Sequence, residues 1–409
     1  MSARVLTVLL HRRLDAASSG SAAYLTLFLQ KARASGFRIR LVFAPRRSFG
    51  ALPSATVHRA FAALADDVVW PGALRLGRRY VSTSPKVWGG FLRRLLREAA
   101  ARAPLRRRRG PKVASLLGHP LEPREARRLA DAANASPSDL VVAEYSAIAP
   151  VLSDCLAVRR AVLMHDVFSL RARSFRAAGV EPDHAAPSVL EEARACAAAD
   201  ALVYASMNEL TAFAPLLPGR RHVWLRPEAT PRPPARGAQG PPRAVFIGAL
   251  HGGNLDALAL LLDQIWPLVR SQAPLGRLLV AGSIGRAVPR RLRKGAGVEV
   301  LGPVADLGSL GGPESVGVAP IRAASGVSIK IVDYLSLGMA ALALPEALSG
   351  FGGTLDDLVE VAPDPPSFAQ RLAVLLTDDE ARRRRAARGR AEVGARLTNR
   401  EIADFLTGV

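Results

Sequence analysis

Apolar and polar positions in the first part of the chain follow two periods in alternation. Nearly continuous apolar runs, "RVLTVLL" (4–10), "RIRLVF" (38–43), "DLVVAEY" (139–145), "AVLMHD" (161–166) and "ALVYAS" (201–206), read as strands. Between the first two, "SGSAAYLTLFLQKARASG" (19–36) has helical spacing and a stop at Gly36. Strands this apolar along their whole length, separated by helices, predict a parallel sheet covered on both faces.

The alternation breaks at "RPEATPRPPARGAQGPPR" (226–243), which holds six prolines. Proline fixes φ and lacks an N–H, so this stretch continues neither a helix nor a central strand and reads as a linker between domains. The pattern then restarts. "RAVFIGA" (243–249), "RLLVAGS" (277–283), "GVEVLG" (297–302), "SVGVAP" (315–320), a run over 339–344 and "LVEVA" (358–362) are strand-like, with a helix expected over 254–270. The reading is two doubly wound α/β domains: residues 1–225, a hinge at 226–242, a second domain at 243–377 and an Arg-rich helix at 378–409.

Composition agrees with that division. The 409 residues suit two domains of roughly 200 each, and 49% hydrophobic content fills both cores. No uncharged apolar run approaches the ~18 residues a membrane span needs. The apolar start is cut short by His11, Arg12 and Arg13, too early for a signal peptide. Two cysteines, Cys155 and Cys196, make neither a disulfide framework nor a zinc site, and a reducing cytoplasm is expected. The formal charge of +21 suits nucleic acid, an anionic leaflet or an anionic substrate alike. No nucleic-acid module or aromatic-rich basic face is visible. "FIGALHGG" is a poor dinucleotide fingerprint and no Walker A sequence occurs, which argues against redox and NTPase chemistry.

Candidate chemistry lies in "APIRAASGVSIKIVDYLSLG" (319–338). Ala323, Ala324, Ser325 and Gly326 let a backbone approach a ligand and turn its amides outward. The helix that follows has first amides without intrahelical partners and the positive end of its dipole, a ready anion seat. Lys330 lies one turn along it, its side chain leaning back toward that end. Two unit charges about 4 Å apart attract by roughly 4 kcal/mol at an effective dielectric near 20, which favours a diphosphate over a neutral ligand. Asp333, three residues on, can accept hydrogen bonds from two vicinal hydroxyls. The same residues also fit an amphipathic helix with two solvated charges.

The second half resembles the retaining GT-B glycosyltransferases of the group-1 (family 4) class, enzymes of two facing Rossmann-like domains. The matching stretches are "VFIGALHGGNLDALALLLDQIWPLVR", "LLVAGS", "GVEVLGPVADL" and "VAPIRAASGVSIKIVDYLSLGMAALA", in family order and spacing. In the first half "HDVFSLRARSF" (165–175) is similar to the family's His-Asp turn, and "EEARACAAADALVYASMNEL" (191–210) to its helix, strand and Ser-x-x-Glu. Residues 45–137 carry the least resemblance.

The resemblance implies transfer of a sugar from a nucleotide-sugar donor to a hydroxyl acceptor with retention of configuration. It assigns Ser325, Gly326 and Val327 as amide donors to the diphosphate, with Lys330 and Arg322 neutralising it. It gives Asp333 the ribose; Gly302, Pro303 and Val304 the base pocket; and Gly20 and Ser21 the first loop near donor and acceptor. His165, with Asp166 in its turn, would face the transferred sugar. His165, Lys330 and Arg322 are thus the candidate catalytic residues. The final helix would cross back to the first domain. Two departures stand out: Ser325 replaces the first glutamate of the family's pair, a small-residue variant, and Asp333 replaces the second, shortening its reach by one methylene. No Asp-x-Asp occurs, so a metal-independent site is expected, with fixed amides and cations stabilising the leaving group and no further cofactor. A sugar-nucleotide epimerase or non-catalytic nucleotide-sugar binder on the same fold, or less favourably a nucleic-acid-binding protein, are the alternatives.

One motif stands apart from that chemistry. In "KVWGGFLRRLLREAAARAPLRRRRGPK" (86–112), Val87, Trp88, Phe91, Leu92, Leu95 and Leu96 interleave with Arg93, Arg94 and Arg97. A basic amphipathic helix of this kind can lie on an anionic membrane and would place the protein at the inner face. The plainer reading, which the sequence favours, is a core-facing helix with a solvated Arg face and a loop. The Arg-rich end of the chain reads as a solvated helix.

Overall fold

The computed structural model describes residues 4–16, 20–102, 116–229, 231, 240–293, 297–324 and 326–408. Ser325, the arginines at 106–109 and most of the Pro-rich stretch lie outside these residues. Before that stretch lie β1 (Arg4–Leu10), β2 (Phe37–Phe43), β3 (Ser54–Thr56), β4 (Asp67–Val69), β5 (Ala73–Leu76), β6 (Arg79–Ser82), β7 (Ser138–Glu144), β8 (Ala157–Met164), β9 (Ala201–Tyr204) and β10 (Arg221–Trp224). After it come β11 (Arg243–Ile247), β12 (Arg277–Ala281), β13 (Val298–Gly302), β14 (Ser315–Ala319), β15 (Ala340–Ala343) and β16 (Glu360–Val361).

Two sheets result, both parallel throughout, as the apolar runs predict. The first has the order β10-β9-β8-β7-β1-β2-β4 and the second β13-β12-β11-β14-β15-β16. Alternation along a strand splits the first sheet's side chains between its two faces. Leu6, Val8 and Leu10 of β1 enter one core, while Leu9 enters the other with Val141 and Val162. The second sheet buries Val245, Leu278 and Val316 in a single large core with the helices around it.

Several elements differ from the pattern. β8 ends at Met164, so His165 and Asp166 belong to a turn rather than a strand. The helix expected over 254–270 is Gly252–Leu260 and Trp266–Gln272 joined by a π-turn at Leu261–Ile265. Pro267 offers no N–H to an α-helical ladder, and the wider turn absorbs that loss. A small antiparallel sheet, β3-β6-β5, rises from the weakly patterned region.

The Arg-rich end forms two helices, Asp379–Arg396 and Arg400–Thr407. Arg382 is fully buried, with Nη2 2.8 Å from Glu314 and Nε donating to the Pro313 carbonyl at 2.9 Å, so this face is not simply solvated. The last helix puts Ile402, Phe405 and Leu406 into the first-sheet core. At the helix's entry, Asn399 Oδ1 accepts from the Arg226 amide at 2.8 Å and Nδ2 donates to the Arg226 carbonyl at 2.9 Å. The chain therefore passes between its halves twice. Cys155 and Cys196 are both buried and unbridged.

Candidate active site

The small-residue loop leaves β14 at its carboxyl end and enters the helix Ile329–Ser336. That helix is seated by buried Ile331, Val332, Tyr334 and Leu335. The Tyr334 hydroxyl ties it to the sheet, accepting from the Ile247 amide and donating to the Val318 carbonyl, both at 3.1 Å. In open α/β sheets ligands bind outside the carboxyl ends of the strands, and the helix start lies there.

Lys330 projects from the first turn. Its ammonium donates to Asn254 Oδ1 at 2.7 Å and stands 4.7 Å above the Phe246 ring. No carboxylate pairs with it among the described residues, and burial lowers its pKa to about 7. Asn254 Nδ2 in turn donates to the Ala249 carbonyl and to His251 Nε2, each at 2.9 Å. His251 Nε2 must then carry a lone pair. Burial, with Arg171 and Lys330 nearby, lowers the His251 pKa to about 4 and keeps that ring neutral. Arg171 comes from the first half and Lys330 from the second, so their positive fields meet at His251, in the crevice between the sheets.

Across from the loop stands the His165–Asp166 turn. His165 is buried, with Nε2 3.0 Å from Glu144 Oε1. A carboxylate only accepts, so Nε2 carries the proton. Glu144 is also held by Arg12, whose Nη2 lies at 2.7 Å. Burial alone would raise the Glu144 pKa, but Arg12 and His165 override it and hold it down at about 2. His165 Nδ1 has no hydrogen-bond partner among the described residues although it is buried. With the proton on Nε2, Nδ1 carries a lone pair and can accept a hydrogen bond.

Tyr145 follows Glu144 and is the one non-glycine with positive φ among the described residues, at 72°. A bulky residue there is strained, a cost that persists only where the surroundings enforce it. Its ring lies 4.7 Å from that of His165, and its phenol is hydrogen-bonded with Ser21, which sits in the first turn of a helix rather than in the loop expected from sequence. Gly20 opens the helix Gly20–Ala34, and a Cβ there would meet Ile329 at 3.8 Å. The start of the Gly20–Ala34 helix, the His165 turn and the Lys330 helix thus converge.

The contact is closest at Gly326. Its φ is 63°, and a Cβ would lie 2.9 Å from the His165 carbonyl and 3.0 Å from Asp166 Oδ1, so only glycine fits. Its amide, expected to face a diphosphate, donates instead to Glu209 Oε1 at 3.2 Å. Val327 packs between the cores of both halves. Asp166 faces Arg171 at 3.5 Å, and Arg171 reaches Asp183 at 3.3 Å. Asp183 Oδ2 accepts from the Gly252 amide at 3.4 Å, a second polar link between the halves.

The remaining predicted residues are placed less centrally. Arg322 is half exposed and held by both oxygens of Asp256, at 2.7 and 2.9 Å, so its charge is already neutralised. Asp333 is partly buried on the Lys330 helix, one turn beyond the lysine. Gly302, with φ of 68°, closes β13 and accepts from the Gly282 amide at 2.6 Å; Pro303 follows, and Val304 packs on the second core. Ser325 lies outside the described residues. Arg12, Glu144, Tyr145, Glu209, Asn254 and Asp183 were not assigned roles from sequence. Glu209 and Asn254 do carry a sequence signal, the Ser-x-x-Glu and Asn-x-Asp-Ala patterns.

Among the described residues no group of three or more His, Cys, Asp or Glu side chains is arranged to hold a metal, and no helix is long and apolar enough to cross a membrane.

No family model matches the chain, and no curated protein does. Solved structures do. Sucrose-phosphate synthase from Thermosynechococcus elongatus superposes with a TM-score of 0.63 at 13% identity, covering 99% of this chain and 98% of that one. Anabaena HepE in complex with UDP gives 0.63 at 11% identity, covering 99% of this chain and 100% of the other. An Escherichia coli protein described as trehalose-6-phosphate, bound with UDP-2-fluoro glucose, gives 0.60 at 13% identity over 99% of each chain. The chain has the GT-B fold: two parallel-sheet α/β units facing one crevice, with the Lys330 helix on one wall and the His165 turn on the other.

Proposed function

We propose that this protein is a glycosyltransferase of the group-1 (family 4) class, moving a sugar from a nucleotide-sugar donor to a hydroxyl acceptor with retention and without a metal. The observation that carries the reading is Lys330: a buried ammonium at the carboxyl ends of β11 and β14, with no carboxylate paired to it among the described residues. A desolvated cation of this kind is completed by an anion from outside the chain. Two superposing structures hold UDP or a UDP-sugar, which makes a uridine nucleotide the first donor to test.

In this reading the diphosphate sits at the start of the Lys330 helix, held by Lys330 and the backbone of 325–327, with Glu209 giving up the Gly326 amide. Asp333 holds the ribose, and 302–304 border the base. His165 accepts a sugar hydroxyl at Nδ1, its orientation fixed by Glu144 and Arg12. The Ser21–Tyr145 pair shapes the acceptor side. As the C1–oxygen bond to the diphosphate breaks, its electron pair goes to the phosphate oxygen, where Lys330 and the amides stabilise the growing charge. The acceptor oxygen attaches to C1 on the same face, and its proton passes to that phosphate oxygen. Closing the crevice holds both reactants together and excludes the water that would hydrolyse the donor. Arg322 would contribute only by leaving Asp256.

A thermal-shift screen with UDP-, GDP-, ADP- and dTDP-sugars tests the reading. One nucleotide class should stabilise the wild type, and Lys330→Ala should abolish the shift while keeping its own melting transition. Acceptor-dependent release of the nucleotide separates transfer from epimerisation or simple binding. A folded sample indifferent to every donor would refute it.

A further inference from the structure

We infer that the helix Pro85–Arg102 is a docking element for an anionic phospholipid surface. Among the described residues the helix is fastened at its beginning: Val87 packs on the first-sheet core and Trp88 Nε1 donates to the Ser82 carbonyl at 2.8 Å. From Leu92 to Ala99 every residue is exposed. Trp88, Leu92, Leu95 and Leu96 recur at helical spacing on one face and are 41%, 56%, 44% and 69% exposed. Arg93, Arg94 and Arg97 lie around the opposite face, with Lys86 behind them and Glu98, which pairs with Arg94 at 2.7 Å, as the nearby acid.

Apolar surface left open along a helix needs a cover. A second copy of this helix would bring like charges together, four cations per copy against one carboxylate over residues 85–99. A bilayer with anionic headgroups satisfies both faces: the leucines and Trp88 enter the acyl boundary, and the arginines meet lipid phosphates. The sequence immediately beyond continues the charge, with four consecutive arginines at 106–109 and Lys112. Nothing in this inference depends on the proposed sugar transfer, so either can fail alone.

The test uses the full chain with vesicles of phosphatidylcholine, with and without phosphatidylglycerol, in flotation and salt titration. Wild type should float with the anionic vesicles only, and lose binding as salt rises. Two triple variants read the two faces: Leu92→Ser with Leu95→Ser and Leu96→Ser, and Arg93→Gln with Arg94→Gln and Arg97→Gln. All six side chains are exposed, so both variants should keep the wild-type melting temperature. Each should weaken vesicle binding, the arginine set by on the order of a hundredfold. Equal flotation of all three proteins overturns the inference. So does flotation with neutral vesicles, single-stranded RNA binding lost by the arginine set but kept by the leucine set without vesicle binding, or a wild-type oligomer that ignores vesicles and dissociates in the leucine set.

Discussion

Glu209 of the first half and Gly326 of the second share a hydrogen bond, the Gly326 amide donating to Oε1 at 3.2 Å. The same oxygen accepts from the Val167 amide at 3.1 Å, next to the His165–Asp166 turn. One buried carboxylate oxygen thus joins the two walls of the crevice and occupies an amide that the proposed donor needs.

Replacing Glu209 separates those roles. Glu209→Ala orphans two buried amides at about 1–3 kcal/mol each, so the melting temperature should fall. Glu209→Gln keeps an acceptor oxygen but removes a negative charge beside the anion seat. Calorimetric titration with UDP should therefore show tighter binding by Glu209→Gln than by wild type. Unchanged or weaker binding would place the diphosphate away from Gly326.

The sequence made the parallel sheets and the Lys330 loop readable because both rest on local pattern. β1, β2, β7 and β9 are buried along most of their length, so their sequences are largely apolar, with Arg38 and Arg40 as the interruptions in β2. β3, β5 and β6 are three or four residues long and partly exposed, too short for a period to register. At the site, Lys330 and Gly326 follow from a motif, whereas Arg12, Glu144 and Tyr145 do not. Arg12 and Glu144 are 132 positions apart and meet only because β1 and β7 are neighbours in the sheet. The Tyr145 backbone angle has no sequence signature at all. Arg322 shows the converse: its motif position is right for an anion, but Asp256 reaches it from another helix.

The Arg12–Glu144–His165 chain predicts a pH effect and a positioning effect. Glu144 has a folded pKa of about 2, below its ordinary 4.5, so its contribution to stability is present above about 4.5. It is lost as pH falls from there toward about 2, because the unfolded chain takes up the proton first. Acid unfolding of wild type should show this slope, and Glu144→Gln should lack it. Removing one partner of a buried pair costs about 3–5 kcal/mol, so Glu144→Gln should also unfold at lower denaturant at neutral pH. Under the proposed function its turnover should drop more than its donor KM rises, since the imidazole is present but no longer held.

Phe405 tests the end of the chain. The ring is buried in the first-sheet core, and its carbonyl accepts from Arg159 at 2.7 Å. Phe405→Ala should cost about 3–5 kcal/mol. Hydrogen exchange should show the loss in β10 and the Gly20–Ala34 helix, which pack on the last helix, rather than in the second sheet around β14. Protection lost uniformly across both halves would mean that they unfold as one unit.

Lys330 gives the most direct reading of the site. Its folded pKa of about 7 lies below the ordinary 10.5 because the ammonium is desolvated. Between those values the unfolded chain binds more protons than the folded one, so the ligand-free protein should gain stability as pH rises from about 7 to 10.5. Below about 7 the burial penalty is present in full. Lys330→Met has no such group and should lack this part of the pH dependence. A bound diphosphate favours the ammonium and raises that pKa again. At pH above 7 binding should therefore draw up to one proton from solution, whereas at pH well below 7 it should draw none through Lys330. Titrating wild type with UDP in buffers of different ionisation enthalpy measures that proton directly, and Lys330→Met sets the background. Binding with equal proton uptake in the two proteins would mean that the anion is neutralised by another group.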